Sequence, residues 1–424
     1  MMKFGIKQWP KRNLGEFLTV LTDYHANGSY KMLKENVTLL DKHDYAIMIR
    51  TTNLEKDDFS KGLKYISESA YNFLEKSKVY PGDILMNKIA NAGSVYRMPN
   101  LHRPVSLAMN LFLLRTNGSE LNQHFAFYYL KAHEAYIKTF AVGTAATTIT
   151  KKAVRDLEVT VPPLSTQRKV VDILSAYDNL IENNTRRIQI LETMAQAIYQ
   201  EWFVHFRFPG HGNVKMVASS IGDIPEGWQV KNVSELADFV RGVEPGSQNY
   251  SASPIDDAVP FLRVGDMGDR SSDIYIPLSL ANNKFLDKED IAITLDGTVG
   301  IVRIGMEGCY STGIRKVVIK DNRLAWSFAY CLLKSEHIQR IIRAHAKGTT
   351  IIHAGAAVDK MNFALPPLPL MKAFDNLASF LLKKILNLQA TNTNLRRTRD
   401  LLLPKLISGD LDVSELDIKT AEMT

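Results

Sequence analysis

At 424 residues the chain is longer than one hydrophobic core ordinarily supports, so at least two globular domains are expected. A formal net charge of +7 with 23% charged residues is a mild basic excess, compatible with an anionic partner. Cys309 and Cys331 are the only cysteines and show no metal spacing, Met1 to Lys11 lacks a signal-peptide run, and no stretch approaches the roughly 20 apolar residues of a membrane span. A cytoplasmic protein without disulfides is expected, with no membrane partner.

In chain order, residues 1–160 read as a first globular domain. It opens on Trp9-Pro10-Lys11-Arg12-Asn13. A strand-like run, Ile47 to Arg50, leads into a turn-forming Asn53. Pro81-Gly82-Asp83-Ile84-Leu85 and Gly93 follow, and then an amphipathic helix of about fifteen residues around Phe125 to Lys131. That helix runs down to the Gly143-Thr144 turn. Val161-Pro162-Pro163-Leu164 ends a strand and admits a helix, and residues 161–204 form the first long helix. Its apolar seam steps by four and three through Val170, Leu174, Tyr177, Ile181, Asn184, Ile188, Leu191, Ala195, Ile198 and Trp202. Residues 205–227 carry the Gly and Pro of a linker.

The pattern then repeats. Trp228-Gln229-Val230-Lys231-Asn232 opens a second domain, 228–364. In it, Pro260 to Arg263 with Asp266, Asp290-Ile291-Ala292, Gly300, Phe328 to Lys334 and Gly348-Thr349 answer the features of the first. Leu365-Pro366-Pro367-Leu368 admits a second long helix, 365–409, with seam Phe374, Ala378, Leu381, Ile385, Leu388, Asn392, Leu395, Arg399, Leu402 and Leu406, every position 204 beyond its counterpart. Pro404 is expected to stop this helix near Leu402, leaving Leu406 outside it and 410–424 as a tail. The offset drifts inside the domains and is constant along the seams, so length varies in loops and not in the helices.

The fold class expected is therefore mixed α/β (α+β). Two globular domains in pseudo-repeat are separated by two long antiparallel coiled-coil helices. Antiparallel pairing puts Asn184 opposite Asn392, a polar layer of the kind that fixes register. A helix of about 33 residues spans roughly 50 Å, against about 34 Å for a turn of B-DNA, a geometry suited to a ruler. The opposite helix face carries Ile173, Leu180, Ile190, Met194 and Phe203, then Leu377, Phe380, Leu386 and Leu401. A two-helix rod cannot bury both stripes, so this second stripe is expected to seat partner helices.

Catalytic motifs are missing. No Gly-Lys pair exists, hence no P-loop, and there is no G-x-G-x-x-G. His133-Glu134 lacks a second His, since Ile137 stands in its place, and neither Pro-Pro pair has the flanking residues of an amino-group methyltransferase motif. No metal site and no cofactor on this chain are expected. Basic residues near loops and Gly-Thr turns are the candidate DNA contacts: Lys88, Arg97, Arg103, Lys151 and Lys152 in the first half, and Arg241, Arg303, Arg315, Lys316 and Lys347 in the second. Positions shared by the halves, such as Arg50 with Arg263 and Asp83 with Asp290, are expected to be scaffold or phosphate contacts. Base readers belong where the halves differ, at Met98 to Met109, Gln248 to Tyr250, Arg270, and Gly308 to Lys316.

Several stretches together resemble the specificity subunit of Type I restriction-modification systems: Val161 to Leu164 running into Gln167 to Leu174, Phe206-Arg207-Phe208-Pro209-Gly210-His211, Ile224-Pro225-Glu226-Gly227-Trp228, and Leu401 to Gly409. The second helix start departs from the pattern, with Leu370-Met371-Lys372 where the first has Thr166-Gln167-Arg168. The resemblance implies two target-recognition domains, each binding one half of a split, asymmetric site in double-stranded DNA, and helices acting as spacer. It also implies docking of two methyltransferase subunits that bind S-adenosylmethionine, association of restriction/translocase subunits, and no catalysis by this chain. Two other readings are a coiled-coil scaffold that holds proteins instead of DNA and a single-chain DNA methyltransferase.

Overall fold

The computed structural model describes residues 9–143, 146–254, 256–268, 273–349 and 352–417. They divide into two compact units, one comprising the chain to Asn179 with Arg396 onward, the other Leu180–Leu395. Each unit takes in one head and part of both long helices.

The heads repeat in topology, strand for strand. In the first, Leu18–Asp23, Leu111–Thr116, Ile84–Asn87 and Val95–Arg97 lie in that order in an antiparallel sheet. A second sheet orders Lys64–Ile66, Ala46–Ile49, Val105–Leu107 and Lys78–Val79, with its central pair parallel. The second head has Ala237–Arg241, Ile314–Ile319, Ile291–Thr294 and Val302–Arg303 in the first sheet. Its other sheet holds Tyr275–Pro277, Ala258–Leu262, Gly308–Tyr310 and Phe285–Leu286, again with a parallel centre. Ile84–Asn87 and Ile291–Thr294 are buried at every residue, the continuous run of a strand covered on both faces. Two-stranded ribbons, Lys11–Asn13 with Glu158–Thr160 and Gln229–Asn232 with Asn362–Leu365, tie the start of each head to the strand before its Pro-Pro pair.

Positions shared by both halves hold matching turns. The Arg50 backbone N–H donates to Asn53 Oδ1 at 3.3 Å and that of Arg263 to Asp266 Oδ2 at 2.8 Å, each capping the turn after a strand. Asp83 and Asp290 accept the backbone N–H of Tyr80 and Asp287, both at 2.7 Å. The expected single head helix is two in each copy: Gln123–Ala132 with Glu134–Lys138, and Trp326–Lys334 with Glu336–Ala344. In the second head the break falls at Ser335, whose hydroxyl accepts the Ile338 N–H and starts the next helix.

The long helices span Leu164–Tyr199, extended by a π-helical turn at Gln200–Val204, and Leu368–Ser408. Pro404 lies inside the second, contrary to the expected stop near Leu402, and Leu406 is helical. An interior proline costs about 3 kcal/mol. Leu406 and Ile407 are fully buried in the core of unit 1, and burying such side chains returns about 1.5 to 3 kcal/mol each.

Within each unit the two helices run antiparallel. In unit 2, Tyr199 stacks edgewise on Phe374 while Asn184 Nδ2 donates to Asn392 Oδ1 at 2.9 Å. Asn392 Nδ2 also lies 3.3 Å from Thr185 Oγ1 and 3.4 Å from the Ile181 carbonyl, so the expected polar layer is present and bonded. In unit 1, Val170 and Leu174 share a core with Leu406 and Ile407, and seam residue Arg399 donates to Asp178 at 2.7 Å. On the opposite face Leu180, Ile190, Met194, Leu377, Phe380 and Leu401 are exposed, as expected. Ile173, Phe203 and Leu386 are not, Ile173 being half-buried against the core of unit 1. Phe203 turns with the π-helical segment into the second head's core, and Leu386 is buried in that same core and packs toward Gly305.

Candidate nucleic-acid interface

One end of each antiparallel sheet gathers charge. In the first head Asp23 ends its edge strand opposite Phe112, itself opposite Met86. Two residues past Met86, Lys88 leaves the sheet and reaches back over the Phe112 ring, its ammonium 5.7 Å from the ring centre and 3.0 Å from Asp23 Oδ2. Lys151, first residue of the helix Lys151–Arg155 capped by Thr150, approaches Asp23 Oδ1 at 3.0 Å. Desolvation pushes the Asp23 carboxyl up, but the hydrogen bonds from Lys88 and Lys151 outweigh it and hold the group below its ordinary value. Thr144 of the expected Gly-Thr turn lies outside the described residues, and the segment beyond it is stitched to the same place, through Ala90 N–H to the Thr147 carbonyl and Ile149 N–H to the Lys88 carbonyl. Gly143 takes φ +129, and a Cβ there would collide with the Ala146 carbonyl.

The second head builds its cluster from other positions. Arg241 stands where the first head has Asp23, opposite Arg315 where the first has Phe112. The carboxylate comes from Asp296, just past the central strand. It accepts from Arg315 Nη2 at 2.9 Å and pairs with His353 Nδ1 at 2.8 Å, with Arg241 Nη2 at 3.8 Å. Arg315 is further tied to the Thr312 and Ile314 carbonyls. Burial raises the Asp296 carboxyl, and the bonds from His353 and Arg315 more than reverse it. His353 also pairs with Asp296 and Lys347 through the main chain, as Thr148 pairs with Ile89 and Val142 in the first head. Both clusters centre one carboxylate among basic side chains, with the signs exchanged between strands.

The candidate residues thus divide. Lys88 and Lys151 meet at the first cluster, and Arg241 and Arg315 at the second, whereas Lys152 is exposed on the helix Lys151–Arg155 and Lys347 is linked to His353 through the main chain. Arg97 lies at the other end of its sheet, opposite Ile84, over the Phe127 and Tyr128 rings and 3.5 Å from Asp178 on the first long helix. Arg103 sits beside the second sheet, bonded to the His43 ring and the Asp44 carbonyl over the Tyr65 ring. Arg303 donates to the Met267 carbonyl at 2.8 Å, and Lys316 pairs with Asp290 at 2.5 Å. Of the regions singled out as base readers, Gln248 is exposed on the turn Ser247–Asn249, and Arg270 lies outside the described residues. A search for cations passes over Asp23, Asp296 and His353. The signal that reveals them is the pairing of Asp23 with Arg241 across the repeat.

Among the described residues no group of His, Cys, Asp and Glu could hold a metal, and no helix is long and apolar enough to cross a membrane.

A sequence model of the family described as "Type I restriction modification DNA specificity domain" matches residues 6–193 and 225–389. The Type I restriction enzyme MjaIX specificity subunit of Methanocaldococcus jannaschii is 27% identical over 376 residues, 83% of this chain and 84% of that one. The HindI specificity subunit of Haemophilus influenzae is 23% identical, over 79% of this chain and 88% of its own length. A crystal structure of a Type I restriction-modification S subunit from M. genitalium shares the fold, with a TM-score of 0.53 at 16% identity, covering 96% of this chain and 97% of that one.

Proposed function

The chain belongs to the family of Type I restriction modification DNA specificity domains, and on that premise we propose that it selects the DNA sequence for a Type I restriction-modification complex. Each head reads one half of a split, asymmetric site in double-stranded DNA. The observation that carries this reading is a repeat of strand order joined to a divergence of side chains. Two heads with identical sheets present differently built charged clusters at the same sheet end, as two readers of different half-sites would.

The remaining roles follow from the helices. Their seam fixes a constant length, which sets the spacing between half-sites, and the exposed Leu180, Ile190, Met194, Leu377, Phe380 and Leu401 offer apolar surface for two methyltransferase subunits. Those subunits bring S-adenosylmethionine and the chemistry. Restriction/translocase subunits join through them, and this chain acts without catalysis of its own, in the cytoplasm.

The test is co-expression with the methyltransferase subunit, followed by mapping of methylated adenines. Modification confined to one bipartite sequence is the expected result. Assembly with the methyltransferase but no sequence-specific duplex binding would overturn the proposal.

A further inference from the structure

Both charged clusters contain one cation that is locked and one that is loose. In the first head the Lys88 side chain is 22% exposed and lies over Phe112, whereas Lys151 is 38% exposed on a helix end. In the second, Arg315 is 11% exposed and bonded to Asp296 and two carbonyls, whereas Arg241 is 61% exposed and 3.8 Å from Asp296, beyond hydrogen-bond reach. An exposed ion pair of that length is worth little, so moving Arg241 to another acceptor costs little.

We infer that Lys151 and Arg241 are the DNA-touching members of these clusters, and that Asp23 and Asp296 are positioning residues that aim them. The inference rests on the reading of the heads as duplex binders and assigns the chemistry. Lys151 presents a compact charge suited to a phosphate, which positions without specifying. Arg241 presents a planar fork suited to the O6 and N7 of a guanine, which specifies. Lys88 and Arg315 stay with their carboxylates, so each Asp keeps one partner when the loose cation leaves.

The test uses the full chain assembled with its methyltransferase, and fluorescent duplexes with and without the methylated site, titrated at several salt concentrations. Lys151→Ala weakens binding to both duplexes alike and lowers the slope of log affinity against log salt by about 1. Arg241→Ala weakens site binding by about tenfold or more and leaves non-site binding within a few-fold. Arg241→Lys restores it only in part, because an ammonium lacks the rigid planar pair of donors that the guanidinium presents. Asp23→Asn frees both lysines, steepens the salt slope and lowers the ratio of site to non-site affinity. A merely structural Asp23 would lower the melting temperature and leave that slope unchanged. Wild-type binding with unaltered slopes in Lys151→Ala and Asp23→Asn, and an unaltered ratio in Arg241→Ala, would overturn the assignment alone. A wild-type complex that binds duplex without salt dependence would instead overturn the reading beneath it.

Discussion

The two heads are fastened to the long helices by different chemistry. In unit 1 the junction is polar. Gln167, fully buried, donates to the Glu120 and Pro162 carbonyls and accepts the Asn122 N–H, all at 2.8 Å. Farther along, Asp178 receives Tyr128 Oη at 2.5 Å and Arg399 at 2.7 Å, and burial together with that carboxylate drives the Tyr128 phenol well up. In unit 2 the place of Gln167 is taken by Met371, and an aromatic cluster joins the polar contacts that Glu192 makes with Tyr330 and Lys334 and Asp375 makes with Ser327. Phe203 lies edge-on to Phe328 and Phe374 at 4.8 and 4.9 Å, with Tyr199 and Trp202 around them. Hydrogen bonds fix an orientation for a modest net energy, whereas aromatic burial supplies energy with looser angular demands. Two copies of one fold have therefore made the same attachment with a buried amide at the helix start in one case and with a ring cluster in the other.

The sharpest way to break this contrast is Phe374→Ala, which removes a fully buried ring and is expected to cost about 3 to 5 kcal/mol. Hydrogen exchange should show the loss in Leu180–Leu395, and equal loss in both units would mean the junctions are not independent. Next comes Asp178→Ala, which strands Tyr128 and leaves Arg399 only Asp400 as a carboxylate partner. With side chains 15% and 27% exposed it should cost about 2 to 3 kcal/mol, below the value for a wholly buried pair, in a urea titration. Asn184→Leu should cost about 1 to 3 kcal/mol by leaving Asn392 Oδ1 without its donor, and the double variant with Asn392→Leu should recover most of it. Additive losses would mean the pair does not act as a unit.

The smallest effect concerns acid. Asp23 and Asp296 have depressed carboxyls, so the stability they add is complete above the unfolded value near about 4 and is lost as pH falls through the lower folded value. Lys88 and Lys151 face the first carboxylate, and Arg315, Arg241 and His353 the second. The double variant Asp23→Asn with Asp296→Asn should melt with a shallower acid limb below about pH 4, and unchanged curvature would remove the clusters from the stability account.

Much of the organisation was legible because it was written twice. The seam, the Pro-Pro entries and the paired asparagines depend on periodicity, and a repeat at constant offset separates period from chance. What proline does was not legible at Pro404, because the compensating burial of Leu406 and Ile407 is a tertiary fact. Nor was the division of the cations. Arg97, Arg303 and Lys316 read like Lys151 and Arg241 in sequence, and only the folded contacts distinguish a charge at the gathered end from one bonded elsewhere. The carboxylates escaped for a related reason, since an acid near DNA makes sense only once its basic partners are seen.

Trp228 follows the first long helix through the linker and rests on Phe203, Phe206 and Phe208. Trp9 has an analogous seat at the end of the second helix, its ring so close to Gly409 that a Cβ there would approach within 2.6 Å, yet no peptide joins the two. Packing and the ribbon that begins at Lys11 keep that second seat filled. A protease nick among Gly210, Gly212 and Gly222, whose surroundings are open, should therefore leave a two-piece protein that stays together and copurifies.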